Sequence, residues 1–172
     1  MMVSDPLGNI EVLLLDVDGV LTEGTVTYND DGIEYKQFNV RDGLGIRMLM
    51  HFGIPVGIVT GRCSKALVHR CNNLGIELLF DGIQNKADVL EAIVSRTGSS
   101  PDTMAFMGDD LVDLPLMRKI GVPIAVSDAH PVVCAAATLI TTARGGNGAV
   151  REICEAILKA KALWNQVLRS FE

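Results

Sequence analysis

The sequence predicts an α/β domain, a doubly wound parallel sheet with a β-hairpin inserted after its first strand. Three observations predict it. Short apolar runs recur along the chain, each bounded by turn residues. Stretches with helical apolar spacing lie between them, which suits right-handed βαβ crossovers and a parallel sheet. The exception is early in the chain, where Asn29-Asp30-Asp31-Gly32 separates two β-prone stretches and signals a hairpin.

The elements follow in order. Val12 to Leu15 is an apolar run ending at Asp16 and reads as a buried strand. Residues 25–28 and 34–39 form the hairpin, an insert of about residues 24–40. Leu44, Met48, Leu49 and Phe52 are spaced for a helix closed by Gly53. Residues 54–59 read as a second buried strand, 62–74 as a helix ending at Gly75, and 78–80 as a short strand. Ala87, Leu90, Ile93 and Val94 make an amphipathic helix that ends before Gly98. Residues 104–107 form a buried strand, and 111–119 a short helix weakened by Pro115. Residues 124–126 and 139–141 are the last strands. A final helix covers about 149–168, with Val150, Ile153, Cys154, Ile157 and Trp164 on its apolar face.

Composition narrows the classes. The 172 residues are expected to form one domain, 1–172, with a proper core. Apolar residues are 48% and charged residues 21%, an ordinary globular balance that argues against disorder. The net charge of −6 excludes general binding to nucleic acid backbones. No apolar run reaches the roughly 18 residues of a membrane span. The opening MMVSDPLGNIEV lacks a basic segment and a long apolar run, so no secretory signal is expected and the location is expected to be cytoplasmic. Cys63, Cys71, Cys134 and Cys154 form no C-x-x-C unit, and His51, His69 and His130 form no H-x-x-x-H. They are therefore expected to be reduced thiols rather than a zinc site or a disulfide framework.

In such a sheet the ligand site lies beyond the carboxyl ends of the strands. Asp16-Val17-Asp18-Gly19-Val20-Leu21-Thr22 follows the first buried strand, and Thr60, Gly61 and Arg62 follow the second. Lys86 lies after the short third strand, and Gly108, Asp109 and Asp110 follow the fourth, with Asp113 one turn on. Asp16 and Asp18 are two apart, so an extended backbone would aim both to one side, with a bend at Gly19. Clustered carboxylates repel unless a cation lies between them, and oxygen-only ligands suit Mg²⁺. Gly145-Gly146-Asn147-Gly148 precedes a helix but lacks the third glycine of a dinucleotide loop, which favours close backbone approach near the site.

This ordered set resembles the haloacid dehalogenase superfamily of phosphatases, on DVDGVLT, Thr60, Lys86 and GDDLVD, over about residues 11–160. The resemblance implies that Asp16 is the nucleophile and becomes an aspartyl phosphate. It implies that Asp18 protonates the leaving sugar oxygen and then deprotonates the attacking water. Mg²⁺ would be held by the Asp16 carboxylate, the Asp18 main-chain carbonyl and the Asp109 carboxylate. Thr60 would donate its hydroxyl to the phosphate, and Lys86 would neutralise charge on it and on Asp16. The relevance of Asp110 stays open, and Asp113 is left with orienting the metal shell or Lys86.

Most members of that superfamily carry a substrate-selecting cap. The stretch from Asp16 to Thr60 is used up by the hairpin, a helix and a strand, and that from Thr60 to Lys86 by a helix and a short strand. No cap fits. FNVRDGLGI, TGR, NK, GDDLVDLPLM, VSDAHP and GGNGAVRE are similar to strings of the capless group that acts on 3-deoxy-D-manno-octulosonate (KDO) 8-phosphate. That resemblance implies a place in KDO and lipopolysaccharide biosynthesis. It also implies a homotetramer whose hairpins meet in a β-barrel, with neighbouring subunits covering each site. The phosphate would be met by Thr60, Gly61 and Lys86, and the sugar carboxylate by Arg62, because a guanidinium grips a carboxylate with two parallel bonds. Relatives acting on deaminoneuraminate 9-phosphate are expected to carry Glu at that position. Arg70 is either a second contact reaching a neighbour's site or a solvated helix-surface arginine, and Arg41 and Asp42 either frame the site or cap a helix. The alternatives are a deaminoneuraminate or sialic acid 9-phosphate phosphatase, and a non-catalytic tetramerisation domain related to that of cytidylyltransferases. A receiver domain fits less well, because both leading carboxylates follow the first strand.

Overall fold

The computed structural model describes residues 6–172. One parallel sheet of six strands runs through it in the order β5-β4-β1-β6-β7-β8. These strands are β1 (Val12–Leu15), β4 (Val56–Val59), β5 (Leu78–Phe80), β6 (Met104–Gly108), β7 (Val122–Ala125) and β8 (Leu139–Ile140). The hairpin is a separate two-stranded piece, β2 (Thr27–Tyr28) and β3 (Glu34–Tyr35), turned at Asn29. The Asn29 side chain accepts from the Asp31 and Ile33 amides at 3.1 and 2.8 Å, an Asx turn that closes it.

Both faces of the sheet are covered because β1 is apolar on both. Leu13 and Leu15 join a core with α1 (Val40–His51), α2 (Lys65–Leu74) and α6 (Ala149–Ala160). Val12 and Leu14 point the other way into a second core with α3 (Leu90–Thr97), α4 (Leu114–Met117) and α5 (Pro131–Ala136). The chain moves from β5 at one edge back to β6 beside β1, so a topological switch point falls between β1 and β6. Leu15 pairs with Met107, which brings the residues that follow both strands together.

The helices differ from the sequence expectation at their ends. The helix expected over 111–119 begins as a 3-10 turn, Leu111–Asp113, because Pro115 cannot donate within a longer helix. The short helix α5 was not anticipated. It starts at Pro131, and the His130 Nδ1 accepts from the Val132 amide at 3.2 Å, so His130 serves as its cap.

The final helix expected over 149–168 is broken into α6 and α7 (Trp164–Arg169). Ala162 takes a left-handed φ of 57°, and the Leu163 amide donates to the Leu158 carbonyl at 2.8 Å. The bend returns Val167 to the core at 1% exposure, while Lys159 lies 4.9 Å over the Trp164 ring. Nothing in Lys159-Ala160-Lys161-Ala162-Leu163 marks a break, since all five favour helix. Ala162→Gly is expected to raise stability by about 0.5 kcal/mol, because the relief of left-handed strain exceeds the extra unfolded-state entropy. A urea titration would show it as a higher midpoint.

Among the described residues no helix is long and apolar enough to cross a membrane. All four cysteines are free, with Cys71 and Cys154 buried.

Candidate active site

The predicted site residues gather at the carboxyl ends of β1, β4 and β6. The Asp16 amide donates to the Met107 carbonyl at 3.0 Å, which extends the β1–β6 ladder and sets Asp16 beside Gly108. The Thr60 amide does the same toward Phe80 at 2.9 Å, and no hydrogen bond uses the Thr60 hydroxyl among the described residues. Asp109 follows Gly108 directly.

The backbone beyond Asp16 is wound rather than extended. The amides of Val20, Leu21 and Thr22 all donate to the Val17 carbonyl, at 3.3, 2.9 and 3.0 Å. As a result the Asp16 and Asp18 carboxylates diverge instead of sharing one side. Asp16 turns inward to Lys86, and Asp18 turns outward to the hairpin. Gly19 makes the turn at φ 98°, and a side chain there would collide with the Asp109 carboxylate. Gly145 packs against the Gly19 carbonyl so closely that a Cβ would overlap it, and the Gly146 amide donates to Val20 at 2.8 Å. The glycine loop before α6 therefore braces the catalytic turn from behind.

Lys86 is among the largest fully buried side chains of the described residues, and its ammonium lies between two carboxylates. It pairs with Asp16 and, at 2.5 Å, with Asp113, and rests 5.6 Å over the Phe106 ring. Burial alone would lower its pKa, but Asp16 and Asp113 outweigh that and raise it. Asp113 is fully buried, and its other oxygen accepts from the Asp109 and Asp110 amides at 2.8 and 3.1 Å. It thus ties Lys86 to the loop after β6. Asp110 faces outward and caps the 3-10 turn through the Leu111 amide at 2.7 Å.

Ligand oxygens of Asp16, Asp109 and Asp113 lie within 4.8 Å of one another. Asp109 has no salt bridge among the described residues. Its carboxyl is pushed up to about 8, first by burial and then by the charges of Asp16, Asp113 and Asp110. Asp16 is also raised, by burial, against the pull of Lys86. Three carboxylates with one lysine are one cation short, and an oxygen-only donor set fits a hard divalent metal ion.

A carboxyl whose folded pKa lies above its unfolded value stabilises the fold at low pH, and that contribution is lost as pH rises through the folded pKa. For Asp109 the window runs from about 3.8 to about 8. The metal-free protein is therefore expected to melt lower at pH 8 than at pH 5.5. Added Mg²⁺ is expected to raise the melting temperature more at pH 8, where its ligand is deprotonated. Calorimetry at both pH values with and without the ion checks this, and equal shifts would remove Asp109 from the ligand set.

The hairpin supplies three residues that sequence reasoning missed. Lys36 pairs with Asp18, and its ammonium lies 3.1 Å from Glu34 Oε1. Arg62 Nη2 donates to Glu34 Oε2 at 2.5 Å and to the Tyr28 hydroxyl at 3.2 Å, and its Nε lies 3.7 Å from Asp18 Oδ2. The only available signal was alternation in Glu34-Tyr35-Lys36, which aims Glu34 and Lys36 to one face.

Arg70 and Asp42 have local partners. Arg70 is half-buried over the Phe38 ring at 5.7 Å and donates to the Asn39 carbonyl at 3.1 Å, which holds the start of α1. Asp42 accepts from the Gly148 and Arg151 amides at 3.3 and 2.8 Å, so it caps α6 rather than its own helix. Arg41 is exposed. Clefts of about 520 and 720 Å³ lie at the opposite end of the sheet, around Pro55 and Thr97, and none of the clustered carboxylates lines them. The chemistry, not the hollow, marks the site.

Known proteins resemble this chain in sequence and in fold. A family model described as haloacid dehalogenase-like hydrolase matches residues 76–153. The 3-deoxy-D-manno-octulosonate 8-phosphate phosphatase of Escherichia coli strain K12 is 44% identical over 153 residues, covering 89% of this chain and 81% of that protein. The crystal structure of the Moraxella catarrhalis enzyme of that name, in complex with magnesium ion, phosphate ion and KDO, is 38% identical. It superposes with a TM-score of 0.94, covering 98% of this chain and 97% of the other. The cobalt-bound phosphatase of the same kind from Haemophilus influenzae is 40% identical with a TM-score of 0.89, covering 92% of each chain.

Proposed function

As this chain belongs to the 3-deoxy-D-manno-octulosonate 8-phosphate phosphatase family of haloacid dehalogenase-like hydrolases, we propose that it hydrolyses KDO 8-phosphate to KDO and phosphate with Mg²⁺ as cofactor. The observation that carries this reading is the Asp16–Lys86–Asp113 chain beside Asp109, at the switch point of a six-stranded sheet.

Asp16 attacks the phosphorus through a carboxylate oxygen, and the bond to the sugar oxygen breaks, leaving an aspartyl phosphate. Lys86 holds Asp16 in place and offsets the charge that gathers on the phosphoryl oxygens. Thr60 donates its free hydroxyl to one of those oxygens, and the backbone at Gly61 lies beside it. Asp18 gives a proton to the departing sugar oxygen, then takes one from the water that cleaves the acyl phosphate. Asp16, Asp109 and the Asp18 main-chain carbonyl would hold the ion, which when bound would screen the repulsion between carboxylate and phosphate. Arg62 faces the sugar end, where a planar cation suits the substrate's carboxylate. Arg70 in this reading reaches the site only through the start of α1 that it holds, or through a neighbouring subunit.

The active form we propose is a homotetramer working in the cytoplasm within KDO and lipopolysaccharide biosynthesis, with residues 1–172 as one domain. The hairpin supports it, since Val26, Tyr28, Ile33 and Tyr35 are all exposed, as is Val40 at 79%. Four such hairpins packed together would bury these side chains and wall the open sites.

The deciding experiment is a phosphate-release panel on purified protein of known mass in solution. It compares KDO 8-phosphate, deaminoneuraminate 9-phosphate and a pentose 5-phosphate. KDO 8-phosphate is expected to give the highest kcat/KM, the activity to vanish with EDTA and return with Mg²⁺, and the active species to elute as a tetramer. Equal or better turnover of the nine-carbon substrate would overturn the assignment, and a fully active monomer would overturn the assembly.

A further inference from the structure

Glu34 carries a carboxylate across two cations of the site. Its Oε2 accepts from Arg62 Nη2 at 2.5 Å, and its Oε1 lies 3.1 Å from the Lys36 ammonium. The same two cations flank Asp18, Lys36 by a direct pair and Arg62 by its Nε at 3.7 Å. A ready place for one carboxylate therefore begins at the catalytic loop, and a residue of the hairpin occupies it.

From this geometry we infer that Lys36 and Arg62 together form the seat of the substrate's carboxylate, and that Glu34 is a resident anion which the substrate must displace. The inference rests on the reading above that the substrate is a keto-acid sugar phosphate.

Three observations support displacement. Glu34 is imperfectly satisfied, because its Oε1 is shut off from solvent and makes no hydrogen bond, only the ion contact with Lys36. A better-aimed carboxylate would gain what Glu34 lacks there. Glu34 reaches the two cations on the rotatable bonds of its own side chain from a ladder that pairs Tyr28 with Glu34, so a change of rotamer releases it while the hairpin stays in place. Finally, charges balance: Lys36 and Arg62 face Asp18 and Glu34. An entering carboxylate is accommodated when Glu34 leaves, whereas a neutral sugar leaves Glu34 in place. Glu34 thus acts against phosphate esters that lack a carboxylate, a selection by exclusion as well as by attraction.

The test compares wild type, Glu34→Gln and Lys36→Gln on KDO 8-phosphate and a pentose 5-phosphate, with free KDO as inhibitor. Lys36→Gln is expected to lower the preference for the carboxylate substrate, as a ratio of kcat/KM values, by about 10- to 100-fold. Glu34→Gln is expected to act oppositely, with a lower KM for KDO 8-phosphate and several-fold tighter inhibition by KDO. Equal losses on both substrates in Lys36→Gln would mean that Lys36 only positions Asp18, and would overturn the inference. Unchanged or weaker KDO inhibition in Glu34→Gln would overturn the resident role, and this variant decides alone if Lys36→Gln does not fold. A wild type without preference for the carboxylate substrate defeats the substrate reading itself. A wild type with that preference, and variants that keep it, defeats only the inference.

Discussion

Asp16→Asn is expected to abolish turnover while leaving the fold intact. The amide keeps the size of the side chain but cannot attack phosphorus, so kcat should fall by at least about 10⁴-fold. Stability should not suffer. Asp16 lies in a buried group with Asp109 and Asp113, and burial already penalises its charge. Removing that charge relieves the cluster, and Lys86 keeps Asp113 at 2.5 Å as a partner. Phosphate release after mixing with excess enzyme, together with a melting curve, separates the two effects. Substantial residual release in a clean preparation would refute the nucleophile role. A lower melting temperature at pH 8 would instead show that the Asp16–Lys86 pair holds the fold.

Lys86→Met should cost both activity and stability. The side chain is 1% exposed and its ammonium serves two buried carboxylates. Taking away one partner of a buried ion pair typically costs about 3–5 kcal/mol, because the charge left behind is uncompensated. Met retains the packing against Phe106, so the loss reports electrostatics more than a cavity. The deficit should depend on pH in a defined direction. Asp16 and Asp109 are already raised toward neutrality, so lowering the pH toward 5.5 lets them take up protons and removes the repulsion. Urea titrations at pH 8 and pH 5.5 are therefore expected to show a smaller deficit at the lower pH. An equal deficit at both would point to packing around Phe106 instead.

These two residues also show what kind of information each level holds. Asp16 and Lys86 are far apart in sequence, but Asp16 directly follows one apolar strand and Lys86 lies in the loop after another, and a parallel sheet brings such loops to one edge. Periodicity and turn residues suffice to place them there. The same reasoning finds Thr60 and Asp109, and it separates the hairpin from the main sheet. It fails where the outcome depends on one rotation of a short loop. Extended geometry after Asp16 would have paired Asp18 with it, but three amides converging on the Val17 carbonyl turn Asp18 toward Lys36. Asp42 sits in the first turn of α1 and reads either as a frame of the site or as a helix cap, and packing puts it under the N-terminus of α6.

Hydrophobic pattern and strand-end chemistry, both local and repeated, thus determined the α/β class, the strand count around the site and the residue types at its edge. Side-chain partners are a different matter. Lys36, Glu34 and Tyr28 reach Asp18 and Arg62 across the hairpin, Asp113 bridges Lys86 to the loop of Asp109, and Ala162 bends the last helix so that Val167 reaches the core. Each of those contacts joins segments distant in the chain, and the energy that selects it comes from burial and pairing across space. A linear pattern carries no term for that, so only the packed structure could decide them.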